Sequence, residues 1–144
     1  MSDDVKYNFR VLSEPVVLVL LKKLNDSMHL INQLLYYTDN DIFVSFTKNE
    51  DELSLIVTEK YISQNNNNLN IYDKKYSVFQ IIENCSEIEK VGIVNCLSKI
   101  MATNGISILY ITTYNNDYIL VDFEKTQLAI NCLETHGYGN INAI

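Results

Sequence analysis

The stretch Asn104-Gly105-Ile106-Ser107-Ile108-Leu109-Tyr110-Ile111-Thr112-Thr113-Tyr114-Asn115-Asn116-Asp117-Tyr118-Ile119-Leu120-Val121 decides the reading of this chain. Asn104-Gly105 is a stop signal, and Gly105 suits the left-handed position just past a helix. Ile106 to Thr113 is a near-continuous apolar run and predicts a well-buried strand. Tyr114 to Asn116 gives a turn, and Asp117 to Phe123 a second strand. Upstream, Val91 to Met101 carries apolar residues at 93, 94, 97, 100 and 101, the spacing of a helix with one buried face. Before it, Tyr76 to Ile82 is rich in β-branched and aromatic residues and predicts a strand, followed by a polar loop over Glu83 to Lys90. Downstream, Glu124 to Thr135 has apolar residues at 128, 129, 132 and 133, a second amphipathic helix, and Gly137 to Ile144 predicts a closing strand. The order is β-α-β-β-α-β. This predicts an α+β, ferredoxin-like unit with an antiparallel sheet and helices on one face.

The first half reads as a degenerate copy of that plan. Lys6 to Leu12 predicts a strand. Glu14 to Tyr37 predicts helix, in two pieces broken near Asn25-Asp26-Ser27, although the β-branched content of Val16 to Leu21 also suits a strand. Ile42 to Thr47 and Glu52 to Thr58 predict a hairpin joined through Lys48 to Asp51, and Leu69 to Tyr72 a last strand leading into Tyr76. Gln64 to Asn68, with four consecutive asparagines, predicts a surface loop. Two units follow from this division, residues 1–73 and 74–144. Each has about 70 residues, so small that the pair should share one core or sheet.

Composition narrows the function. The chain has 144 residues and a formal net charge of −7, against a nucleic-acid or anionic-membrane surface. The longest apolar run, Val16 to Leu21, is far too short for a membrane span. The acidic Met1-Ser2-Asp3-Asp4 start does not resemble a secretion signal. Cys85, Cys96 and Cys132 cannot all pair, and no Cys-x-x-Cys occurs, so a reduced, cytoplasmic protein is expected. His29 and His136 stand alone, and no metal site or cofactor is expected. There is no nucleophile elbow and no phosphate loop, so no catalytic residue and no enzyme activity is expected. His136 beside Gly137 fits a helix C-terminus, and Cys96 and Cys132 fit the packed faces of helices.

Two places draw attention. A helix opening at Gly92 presents free backbone N–H groups and the positive end of its dipole, which favours a carboxylate, and glycine permits close approach. Gly92 equally suits tight packing of helix on sheet. Asp117, opening a strand after a turn, is placed to meet an amino or guanidinium group. An Asx-type turn residue serving local N–H groups is the other reading of it.

These residues carry a family resemblance. Val91-Gly92-Ile93-Val94, then Asn104-Gly105-Ile106-Ser107-Ile108, then Ile111-Thr112-Thr113-Tyr114-Asn115-Asn116-Asp117-Tyr118-Ile119-Leu120-Val121 resembles the CASTOR-type ACT-domain family. That family comprises cytosolic arginine sensors upstream of the TOR kinase, with bacterial relatives that resemble the regulatory tails of aspartate kinases. Its recognisable run is Ile-Ser-x-x-x-x-Ser-Thr-Tyr-x-x-Asp-[Tyr or Phe]-Ile-Leu-Val, and this chain carries Thr112 in place of one Ser. Arg10-Val11-Leu12-Ser13 and Phe43-Val44-Ser45-Phe46-Thr47 leading to Leu55-Ile56-Val57 are similar to the family's first ACT unit.

The resemblance implies a tandem of two ACT-like units, half the length of a CASTOR sensor, and hence a homodimer with sites between second units. It implies a small amino acid as ligand, arginine-type ligands among them, and a regulatory protein as partner. Ser107 and Ile108 of one protomer would face Gly92, Ile93, Asn95, Thr113, Tyr114 and Asp117 of the other. The glycine turn and the Ser107 backbone would hold the amino-acid head and Asp117 a cationic group. Asn95 departs from the pattern, since an arginine binder is expected to carry an acidic residue there. A ligand-free dimerisation or protein-interaction module is the alternative that the same fold allows.

Overall fold

A computed structural model describes residues 7–21, 24–62, 69–82 and 92–142, with backbone alone for 24–27. The loops expected over Gln64–Asn68 and Glu83–Lys90 lie outside the described residues. Two compact units emerge: Leu12–Tyr76, and Met1–Val11 together with Ser77–Ile144.

The 12–76 unit starts with strand β1's successor in the chain, β2 (Val16–Leu20), after β1 (Asn8–Val11), which belongs to the other unit. Helix α1 (Leu24–Tyr36), β3 (Val44–Lys48), β4 (Leu53–Thr58) and β5 (Asn70–Ile82) follow. Of β5, residues 70–76 belong here. The sheet order is β3-β4-β2-β5, antiparallel throughout. Val17 pairs with Val57 and Val19 with Leu55, which puts all four on one face, in a core with Leu30 and Leu34 of α1. The helix expected from Glu14 is therefore corrected over Val16–Leu20: five consecutive branched aliphatic residues between two strands form a central strand. Nor does α1 break at Asn25-Asp26-Ser27. Those residues fall in its first turn. Between β4 and β5 the described residues hold only a 3-10 turn, Glu59–Tyr61, where a second helix would complete the plan.

The second unit contains β1, the end of β5, α2 (Ile93–Thr103), β6 (Ile108–Thr112), β7 (Asp117–Asp122), α3 (Thr126–Thr135) and β8 (Gly139–Asn140). Its order is β6-β7-β5-β1-β8. From β5 onward the succession is β-α-β-β-α-β, as read from the sequence. β1 is inserted between β5, to which it is antiparallel, and β8, to which it is parallel. The sequence division at 73/74 follows the chain, whereas the spatial grouping sends this first strand to the second unit. The core is built from Phe9, Phe79 and Ile81 of the sheet against Leu97 and Met101 of α2 and Leu133 of α3.

Both helices of this unit end on the same device. Gly105 (φ +72°) donates to the Ala102 carbonyl and Ile106 to Met101, while Gly137 (φ +89°) donates to Glu134 and Tyr138 to Leu133. This paired arrangement satisfies two orphan carbonyls at each end and needs a left-handed residue, hence glycine. The expected buried run Ile106–Thr113 is corrected: β6 is an edge strand, and its residues are half-buried or exposed. The expected closing strand shrinks to Gly139–Asn140. Cys132 is buried as expected, but Cys96 is exposed. Among the described residues no helix is long and apolar enough to cross a membrane.

Candidate functional site

The tight turn at 104–107 reverses the chain, so α2 and β6 run in opposite directions. Eleven helical residues rise about 16 Å and five strand residues about the same. The N-terminus of α2 thus stands over the end of the sheet where β6 turns into β7. Gly92, Ile93 and Asn95 belong to that start of α2, and Thr113, Tyr114 and Asp117 to the β6–β7 turn and the start of β7. Ser107 and Ile108 lie at the other end of β6. Ile108 pairs with Val121 and Thr112 with Asp117, which separates the two groups by roughly 13 Å along the hairpin. Within one chain the eight candidate residues therefore form two clusters rather than one.

Gly92 is the residue before the first turn of α2, with φ +96°. Among the described residues nothing lies within 4 Å of where its Cβ would be, so the tight-packing reading is not what requires glycine here. The positive φ requires it. Among the described residues no side chain caps the helix start, and no acidic residue sits in its first turn. The first backbone bond within the helix runs from Cys96 to the Gly92 carbonyl, so the N–H groups of the opening turn have no partner within the helix and lie at the positive end of its dipole. Ile93 is buried in the core, so its side chain fixes the helix end and only its backbone is available. Asn95 is exposed on the same turn.

Across from it, Thr113 closes the hairpin. Its backbone N–H donates to the Asn116 carbonyl at 2.9 Å, and its hydroxyl donates to the same carbonyl at 2.9 Å. The hydroxyl is thereby committed to the turn. Tyr114 at the tip is 99% exposed. Asp117 is half-buried and accepts a hydrogen bond from the Tyr110 hydroxyl at 2.9 Å. This differs from the Asx-turn reading, in which the carboxylate would serve local backbone N–H groups. Asp117 shares its face with Ile119 and Val121, which are in the core beneath the helices, so it lies on the same side of the sheet as α2. Tyr110 was not among the residues singled out from the sequence. The hairpin register places it one step diagonally from Asp117, and that is the signal that would have found it.

At one end of the helical layer, then, an uncapped helix N-terminus and a fixed carboxylate lie on the same side of the sheet. The two differ in electrostatic character: N–H donors suit a carboxylate, and Asp117 suits a cationic group.

Residues 71–135 match the family model described as ACT domain. No curated protein matches the sequence. Among solved structures, the chain is similar to a Vibrio cholerae protein of unknown function described as a possible transport protein, at 20% identity and TM-score 0.69, covering 90% of this chain and 88% of that one. An Agrobacterium tumefaciens protein is similar at 20% identity and TM-score 0.70, covering 95% and 93%. The regulatory subunit of aspartate kinase from Thermus thermophilus, in ligand-free form, has 8% identity and TM-score 0.61 over 91% and 97%. The fold is thus similar to that of the regulatory subunit of an aspartate kinase.

Proposed function

We propose that this chain is a non-catalytic, cytoplasmic regulatory protein of the CASTOR-like kind. In this reading it binds a small amino acid between the second ACT units of a homodimer and passes the bound state to a regulatory protein partner. The observation that carries the reading is the split of the candidate residues. The Gly92 and Asp117 cluster and the Ser107–Ile108 strand start stand at opposite ends of one hairpin, and a two-fold axis beside the β6 edge brings each against the other's mate. A two-fold contact needs only one self-complementary surface, and β6 offers an edge strand with no charged residue in it. Ligand bridging two protomers stabilises one dimer geometry, and linkage converts occupancy into a changed surface for the partner.

Asn95 shapes the ligand. A guanidinium held here has Asp117 as its acidic partner, while Asn95 supplies only neutral polarity, which suits an amino acid with a neutral side chain better than a fully buried arginine.

Thermal unfolding in the presence of each proteinogenic amino acid tests this. A ligand at 100 times its Kd adds about 2.7 kcal/mol to the folded state and raises Tm by several degrees. Asp117→Ala abolishes that shift and leaves the unliganded protein folded. A screen in which no amino acid moves Tm, or a shift that survives Asp117→Ala, refutes the site.

A further inference from the structure

A second concavity opens in the ACT unit, away from the Gly92 end. It begins one turn into α2 and runs about 10 Å along the helix, from Cys96 to Thr103. Cys96, Lys99, Ile100 and Thr103 form one wall at i, i+3, i+4 and i+7, and His136 and Tyr138, from the turn that ends α3, form the other. Its volume of about 460 Å³ falls in the range of small-molecule sites.

The chemistry of the lining is one-sided. Lys99, Thr103 and Tyr138 bring donors to it, and no carboxylate occurs among the described lining residues, although the chain as a whole carries a net charge of −7. Lys99 is exposed and makes no ion pair among the described residues. The ring of Tyr138 is buried, and burial, with the Cys96 thiol nearby, raises its pKa above the usual 10.0, so the phenol stays a neutral O–H donor. His136 Nδ1 lies 2.8 Å from the Cys132 carbonyl. A carbonyl only accepts, so Nδ1 carries the hydrogen and Nε2 is the nitrogen turned away from that bond. Ile100 supplies the apolar floor, half-buried against the core.

We infer that this groove binds a small organic carboxylate with an apolar body, its anionic head at Lys99 and Tyr138 and its apolar part against Ile100. Charge-assisted bonds from the ammonium and the phenol hold the head, and the apolar wall distinguishes an organic acid from a bare inorganic anion. The site does not depend on the amino-acid reading given above, because it shares no residue with it.

Titration of the full chain with phenylacetate, followed by backbone amide shifts in NMR, tests the inference. Saturable shifts confined to residues 96–103 and 136–138 are expected. Lys99→Gln, at an exposed position, should leave the rest of the spectrum unchanged and weaken binding at least tenfold, with Lys99→Arg retaining it. Phenylacetamide, which keeps the shape and loses the charge, should also bind at least tenfold more weakly. Bound phenylacetate should slow alkylation of Cys96, read by peptide mapping. Four results overturn the proposal: no saturable shifts, equal binding of the amide, inorganic phosphate binding as tightly as phenylacetate, or shifts centred on residues 92–95 and 113–117.

Discussion

The Tyr110 hydroxyl donates to the Asp117 carboxylate at 2.9 Å, diagonally across the β6–β7 hairpin. One carboxylate oxygen is thereby fixed in place; in the proposed site the other would receive a ligand cation. A hydrogen bond to a carboxylate that is only half-buried contributes less than its fully buried counterpart.

Tyr110→Phe removes that bond while keeping the ring that packs on the core. It should cost about 1 kcal/mol of stability in urea unfolding. It should also weaken ligand binding, but less than Asp117→Ala does, because the carboxylate remains and loses only its positioning. Equal losses in the two variants would mean that Tyr110 touches the ligand itself.

Gly92→Ala adds a methyl group to open space among the described residues, so no clash is expected. The cost comes from φ +96° alone and should be about 1 kcal/mol in thermal or urea unfolding. Gly92→Asn should cost less, since asparagine tolerates left-handed geometry better than alanine. A larger loss for asparagine than for alanine would show that space, not φ, sets the requirement.

The raised pKa of Tyr138 has a definite sign. The folded state holds the phenolic proton more tightly than the unfolded state, so this contribution is fully present below the unfolded value near 10.0 and is lost as pH rises through the higher folded value. Stability of the wild type should fall in that alkaline range more steeply than that of Tyr138→Phe. At neutral pH the two differ by no ionisation effect. Parallel alkaline profiles would contradict the buried, proton-retaining phenol.

Leu97 is fully buried between α2 and the sheet, whereas Val94, three residues before it, is 47% exposed. Leu97→Ala should destabilise by about 2–5 kcal/mol through a core cavity. Val94→Ala should stay within about 0.5 kcal/mol of wild type. Chemical denaturation of both variants checks the assigned face of the helix.

Much of the second unit was legible because its signals are local. The 93, 94, 97, 100 and 101 spacing, Gly105, and the alternation after Asp117 each lie within one window, and the structure returns α2, its cap and β7 almost residue for residue. What failed was non-local. Val16–Leu20 looks equally apolar as helix or strand, and only its neighbours β4 and β5 decide it. The placement of β1 beside Phe79–Ile82 rests on pairing with residues some seventy positions away, which no window contains. The run Ile108–Thr112 reads as core, yet it is an edge, because composition does not reveal which strand ends a sheet. At the proposed site, Gly92 and Asp117 stand out by residue type and position. Tyr110 does not, since its role exists only once the hairpin register is known.

The central claim is a pocket completed by two chains, and subunit mixing tests it most directly. Asp117→Ala keeps Ser107, and Ser107→Trp keeps Asp117 while blocking the strand start. Neither variant alone should bind the amino acid that stabilises the wild type. Mixed in equal amounts and allowed to exchange, half of the dimers should be mixed, each with one intact pocket, so calorimetry should recover about one site per four chains with wild-type affinity. If the mixture binds no more than the separate variants, the two clusters do not complete one another across a dimer and the account is wrong.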